Sequence, residues 1–115
     1  MSETIYSTVP NLKEVEQESK DALVGFLRNN QGRFYTARKL AAECGFPRTQ
    51  TFPELRRAIK ELVAEGNSII STQAGFSYID IKTEGGRNMI LKNIEHLEQR
   101  KQGIERSIQD LRNLQ

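Results

Sequence analysis

Ile90, Ile94, Leu97, Lys101, Ile104, Ile108 and Leu111 follow one another at spacings of 4, 3, 4, 3, 4 and 3. A 3.5-residue period held this long is the mark of a helix whose apolar stripe winds against a partner. Residues 87–115 are therefore expected to form one long helix. Ile90, Leu97, Ile104 and Leu111 take the d positions, and Ile94 and Ile108 take a, with Lys101 as a polar interruption at a. So narrow a stripe cannot bury itself on a single helix, and it predicts homodimerisation through these seven residues; folding back on the rest of the chain is the alternative. Parallel pairing would set Arg100, at g, near Glu105, at e, of the second chain, whereas Lys101 facing Lys101 would favour antiparallel pairing, so the orientation stays open. Gly103 costs the helix about 1 kcal/mol relative to alanine and marks a place where it can bend. His96, the single histidine, falls at c on the outer side.

Upstream of this segment the pattern is shorter and more varied. Residues 1–10 are polar and aperiodic, which reads as a flexible tail, and residues 11–82 read as the folded domain. Its first helix is expected over residues 12–28. Asn11 and Glu14 lie at capping positions, and Leu12, Val15, Ala22, Leu23, Phe26 and Leu27 recur at helical spacing. Gly32 or Asn30 supplies the left-handed end. Phe34-Tyr35 is a short extended piece. Thr36 caps a second helix over residues 37–44, with Leu40, Ala41 and Cys44 inward and Gly45 as its stop. A polar turn, Phe46-Pro47-Arg48-Thr49-Gln50, precedes Thr51-Phe52-Pro53-Glu54, which fits a capping box at the start of a third helix running to about Glu65. Two β-rich runs, residues 68–72 and 76–81, are joined by Gln73-Ala74-Gly75 as a hairpin. Residues 83–86, Thr-Glu-Gly-Gly, read as a linker. The predicted class is mainly α with a small β-hairpin and a long C-terminal coiled-coil helix.

At 115 residues the chain has room for one modest domain and an appendage. Apolar residues make up 37% and charged residues 28%, without tryptophan, so part of the chain must be helix with a wet face. No run of about 18 apolar residues is present to span a membrane. The first ten residues lack the basic and apolar regions of a secretory signal. Cys44 is the only cysteine and has no partner for an internal disulfide, which points to a reducing cytoplasm. No nucleophile and base, glycine-rich phosphate loop, convergent acid pair or metal-ligand spacing occurs, so the expectation is a non-enzyme without cofactor or metal.

The formal charge of +2 is unevenly spread. Residues 1–32 hold three Lys/Arg against five Asp/Glu, residues 33–66 seven against four, and residues 67–115 seven against six. The middle third therefore holds the positive excess, and it contains the third helix. At 100° per residue Leu55, Ala58, Ile59 and Leu62 fall on one side of that helix. Pro53, Arg57, Lys60 and Ala64 fall on the other, flanked by Arg56 and Glu61. A recognition helix needs this division, although an ordinary solvated face has the same composition.

Leu40-Ala41-Ala42-Glu43-Cys44-Gly45, followed by Leu55-Arg56-Arg57-Ala58-Ile59-Lys60-Glu61-Leu62, resembles the helix–turn–helix of winged-helix DNA-binding proteins. Glu65-Gly66-Asn67-Ser68-Ile69-Ile70-Ser71 and Gly75-Phe76-Ser77-Tyr78 resemble the wing of the biotin-repressor type. The chain is also similar to small winged-helix proteins of phages and prophages. It departs from the pattern in the ten residues between Gly45 and Arg56, a longer turn than usual, which shifts the third helix or delays its start. The resemblance implies a dimeric, transcriptional regulator-like protein of a bacterial or phage-infected cytoplasm that binds double-stranded DNA sequence-specifically. Arg56, Arg57 and Lys60 would meet the groove. Arg48, Thr49 and Gln50 in the turn and Arg38 and Lys39 at the start of the second helix would meet phosphate. Ser71 and Gln73 would contribute from a wing that has no Arg or Lys before Lys82, and is for that reason read as mainly structural. Phe76, Tyr78 and Ile79 are read as core. Winged helices also dock proteins, so an adaptor in a phage replication or packaging assembly, without DNA contact, is the competing expectation.

Overall fold

A computed structural model describes residues 12–115, with side chains from residue 16 onward. The tail over residues 1–10, the Asn11 cap and the side chains of Leu12, Glu14 and Val15 lie outside what is described. In order the chain forms α1 (Leu12–Asn29), α2 (Ala37–Cys44), α3 (Pro53–Ala64), β1 (Ile69–Thr72), β2 (Gly75–Tyr78) and α4 (Glu84–Asn113). The protein is mainly helical with one two-stranded antiparallel hairpin and a long C-terminal helix. It divides into two compact units between Tyr78 and Ile79, four residues earlier than the expected boundary at 82.

In the first unit the core is built from Leu23 and Leu27 of α1, Leu40, Ala41 and Cys44 of α2, and Leu55, Ala58, Ile59 and Leu62 of α3, closed by Ile69 and Phe76 of the hairpin. Ala22, expected inward, is exposed. Ser19 is buried instead, and its hydroxyl donates to the carbonyl of Gly45 at 3.3 Å. α2 begins as expected: the Thr36 side chain accepts from the Lys39 N–H, and Gly45, at φ 78°, closes the helix. Gly32 takes a left-handed conformation at φ 80°, and its N–H donates to the Tyr78 carbonyl, joining the end of α1 to β2.

The capping box expected at Thr51 does not form. Phe52 is the N-cap of α3, at φ 52°, with no side-chain hydrogen bond to the helix, and Pro53 is the first helical residue. The cause is Pro53, whose ring bars its predecessor from the right-handed helical region, so Phe52 cannot begin the helix. The long turn therefore delays the start of α3. It is also less polar in effect than its composition: Phe46 is buried in the core and Phe52 packs against it.

The hairpin pairs Ile69 with Tyr78, Ile70 with Ser77, Ser71 with Phe76 and Thr72 with Gly75, leaving Gln73 and Ala74 as the loop. Tyr35 adds a bridge to Phe76, with N–H to carbonyl distances of 2.9 and 2.8 Å, so the extended piece before α2 lies along β2. Gly75 is required here. Its φ is 118°, and a Cβ would collide with the backbone carbonyl of Tyr35. β2 stops at Tyr78, short of the expected 81. Phe76 and Ile79 are buried and Tyr78 is half-buried, as a core assignment requires. Arg28 Nη2 and the Tyr78 hydroxyl both donate to Asn67 Oδ1, at 2.9 and 3.0 Å, tying α1 to the base of the hairpin.

In the second unit residues 83–86 are the cap and first turn of α4 rather than a linker. Asp80 turns the chain: its carboxylate accepts from the Lys82 N–H and its carbonyl from the Thr83 hydroxyl. Thr83 then caps α4 by accepting from the Gly86 N–H. Gly86 is buried, and a Cβ there would collide with the Asp80 carbonyl, so its glycine serves close approach and not flexibility. The helix continues through Gly103 without interruption to Asn113.

Candidate nucleic-acid interface

α3 divides as its sequence period requires. Leu55, Ala58, Ile59 and Leu62 are buried, and Pro53, Arg57, Lys60 and Ala64 on the opposite side are exposed. Its three cations differ in what holds them. Arg56 is exposed, but its Nε donates to the Thr51 carbonyl at 2.7 Å, and its guanidinium carbon lies 5.8 Å from the centroid of the Phe76 ring. It is thereby drawn toward the hairpin, away from the outward stripe. Arg57 Nη2 lies 3.1 Å from Glu16 Oε1, with both side chains more than half exposed. Lys60 is exposed and makes no hydrogen bond or ion pair among the described residues.

Arg57 borders a cleft of about 240 Å³ between α1 and α3, lined by Glu16, Gln17, Lys20, Phe46, Glu54, Arg57, Ala58 and Glu61. Three carboxylates against two cations make it mixed in charge. Lys20 bridges Glu65 and Glu61, and the hydrogen bond to Glu65, with that to Glu61, raises its pKa above the ordinary amine value. Glu16 and this cleft escaped sequence reasoning, since the partners lie 41 positions apart. The signal that could have pointed to them is the acidic excess of the first third of the chain, beside the basic middle.

On α2, Arg38 is exposed and without an ion-pair partner among the described residues. Lys39 pairs with Glu43 one turn on, at 2.9 Å, and that hydrogen bond raises its pKa. Arg48, Thr49 and Gln50 are all exposed in the turn before α3. The Thr49 hydroxyl makes a long 3.5 Å hydrogen bond to Glu54. In the hairpin Ser71 and Gln73 are exposed, and the neighbouring Thr72 hydroxyl serves the turn itself, accepting from the Ala74 N–H and donating to the Gly75 carbonyl. Of the candidate cations of the first unit, Arg38, Arg48, Arg57 and Lys60 are thus presented outward without commitment to the protein backbone or to a same-helix acid, with Arg57 shared with Glu16.

In the second unit the heptad stripe lies open. Ile94 is 44% exposed, Leu97 53%, Ile104 59%, Ile108 45% and Leu111 65%, whereas Ile90 is half-buried. Leu97, Arg100, Lys101, Ile104 and Glu105 line a shallow groove of about 460 Å³. His96 is exposed. Cys44 is buried, and burial, followed by the charge of Glu43, raises its thiol pKa to about 11. Among the described residues there is no group of three or more His, Cys, Asp or Glu able to hold a metal, and no helix long and apolar enough to cross a membrane. Comparison with protein-family models, with curated proteins and with solved structures finds no match to this chain.

Proposed function

We propose that this chain is a non-enzymatic, self-associating protein whose first unit is a winged helix–turn–helix that binds double-stranded DNA, in the manner of a transcriptional regulator of a bacterial or phage-infected cytoplasm. The observation that carries the reading is the two-sided character of α3, which buries four aliphatic residues and turns Arg57 and Lys60 outward. The base-reading set is narrower than the sequence implies. Arg56 is committed to Thr51 and Phe76 and acts as a brace for the start of α3. Arg57 stays available, because an ion pair this exposed is worth only about 0–1 kcal/mol and a phosphate or guanine can displace Glu16. Arg38 and Arg48 supply phosphate contacts that fix register without reading sequence.

Self-association supports the same reading. Five aliphatic side chains of the heptad stripe on α4 stand about half exposed. Fully burying an exposed side chain of this kind is worth about 1.5–3 kcal/mol, and with about half of each left to cover, pairing two helices gains an amount of the same order as the roughly 4–15 kcal/mol association cost. A dimer at working concentrations would double a thin set of cations across two half-sites. Gel retardation of duplex DNA by the intact chain tests the function. Retardation that is lost in Arg57→Ala/Lys60→Ala, with unchanged circular dichroism, supports it; no retardation by the folded wild-type chain overturns it.

A second reading is favoured by the cleft beside Arg57. Glu16, Glu54 and Glu61 outnumber Lys20 and Arg57 in its lining, and an acid-rich cleft of this kind suits a basic segment of another protein. On that reading the winged unit is an adaptor in a replication or packaging assembly. Glu54→Gln/Glu61→Gln would then weaken partner capture while leaving DNA untouched.

A further inference from the structure

We infer that α4 pairs with a second copy of itself in parallel and in register, an inference that rests on the proposed self-association and fixes its geometry. The e positions of the stripe are Leu91, Glu98, Glu105 and Arg112, and the g positions include Asn93, Arg100 and Ser107. In a parallel pair each g residue faces the e residue of the following heptad on the partner, which sets Arg100 against the second copy's Glu105 twice by symmetry. In an antiparallel pair e faces e and g faces g. The two antiparallel alignments that cover the stripe from Ile90 to Leu111 place Glu98 against Glu98 and Arg100 against Arg100, or Glu98 against Glu105. Both bring like charges together along the seam. The flanking e and g charges thus select the parallel arrangement, against the opposing cost of setting Lys101 beside its own copy at a.

The groove on α4 has the matching form. Leu97 and Ile104 make its apolar floor, with Lys101 between them, and Arg100 and Glu105 stand as a positive and a negative wall. A copy related by a two-fold axis along the helix offers the same walls exchanged. The Lys101 stems lie along the neighbouring aliphatic residues while their amines reach water. A single polar a position of this kind holds a coil in register at some loss of affinity.

The test uses the intact chain. Sedimentation equilibrium is run on the wild type, on Arg100→Glu, on Glu105→Arg and on the double exchange, and Leu111→Cys is incubated in a glutathione redox buffer. The native Cys44 is buried, 7% exposed, and does not interfere. Parallel pairing predicts that each single exchange weakens the dimer about tenfold, that the double exchange restores it, and that the Leu111→Cys chain closes a disulfide between the introduced thiols of its two copies. A dimer that sediments normally but forms no such disulfide, and that is not weakened by the single exchanges, overturns the parallel geometry and leaves self-association standing. A chain monomeric at every concentration overturns both.

Discussion

Glu16 Oε1 accepts a hydrogen bond from Arg57 Nη2 at 3.1 Å, so the start of the first helix reaches across to the outward face of the third. If Arg57 meets DNA as proposed, a carboxylate on that arginine competes with phosphate for the same donor. Glu16→Gln removes the competing charge and retains most of the side chain's shape. It is expected to tighten DNA binding several-fold while changing stability by less than about 1 kcal/mol. Anisotropy titration beside urea unfolding checks both parts. Unchanged or weaker DNA affinity in a folded Glu16→Gln chain would show that the pair does not restrain Arg57.

Gly75 lies where β2 meets the Tyr35 bridge. Alanine there faces a positive φ of 118° and a collision with the Tyr35 carbonyl. Relieving both requires the bridge to open, and Gly75→Ala is expected to destabilise the domain by about 3 kcal/mol. Gly25→Ala, in a helical setting where a Cβ meets nothing within 4 Å, is expected to be neutral or stabilising. Paired urea melts of the two variants separate the contact from any general intolerance of alanine.

Cys44 is buried, and its thiol pKa rises from 9.0 to about 11. At pH 8 its thiolate population in the fold is about a hundredfold below that of the unfolded chain, two pKa units lower. Alkylation should therefore be at least that much slower in native buffer than in urea. The linkage has a definite sign. Between pH 9 and 11 the folded state holds the proton that the unfolded state gives up, so stability falls as pH rises through that window and is unaffected by Cys44 below it. A thiol that reacts equally fast in both states would contradict the burial.

Lys101 interrupts the a positions of α4, where Ile94 and Ile108 stand on either side. Lys101→Leu completes the stripe and, on the proposed pairing, removes an amine from the seam between two copies. Dimer affinity is expected to rise at least tenfold, equivalent to about 1.4 kcal/mol, by sedimentation. A variant that associates no more tightly than wild type would place Lys101 outside the interface.

The elements legible in the sequence were those decided by one residue or one period. Thr36 with Gly45 delimits α2, and the alternation of Leu55, Ala58, Ile59 and Leu62 gives both the helix and its buried side. What was not legible depended on long-range packing or on two local rules in conflict. Thr51 and Glu54 spell a capping box, yet Pro53 excludes Phe52 from the helix and moves the cap onward by one residue. Phe46 sits among turn residues but fills the core. Gly85-Gly86 has the composition of a linker, although Gly86 is needed where α4 approaches Asp80. For the candidate site, sequence placed the cations of α3 on the correct faces. It could not give their partners, because Glu16 reaches Arg57, and Phe76 reaches Arg56, only once the chain has folded.

The most direct test of the DNA-binding proposal is the salt dependence of association between the intact chain and a labelled duplex, measured by anisotropy for wild type and for Lys60→Ala. A protein that neutralises phosphates through Arg38, Arg48, Arg57 and Lys60 should lose affinity steeply as salt rises, with a logarithmic slope of about −0.9 per phosphate, and Lys60→Ala should flatten that slope by about one. A folded chain with no detectable binding at low salt, or with binding indifferent to salt and to Lys60, would contradict it.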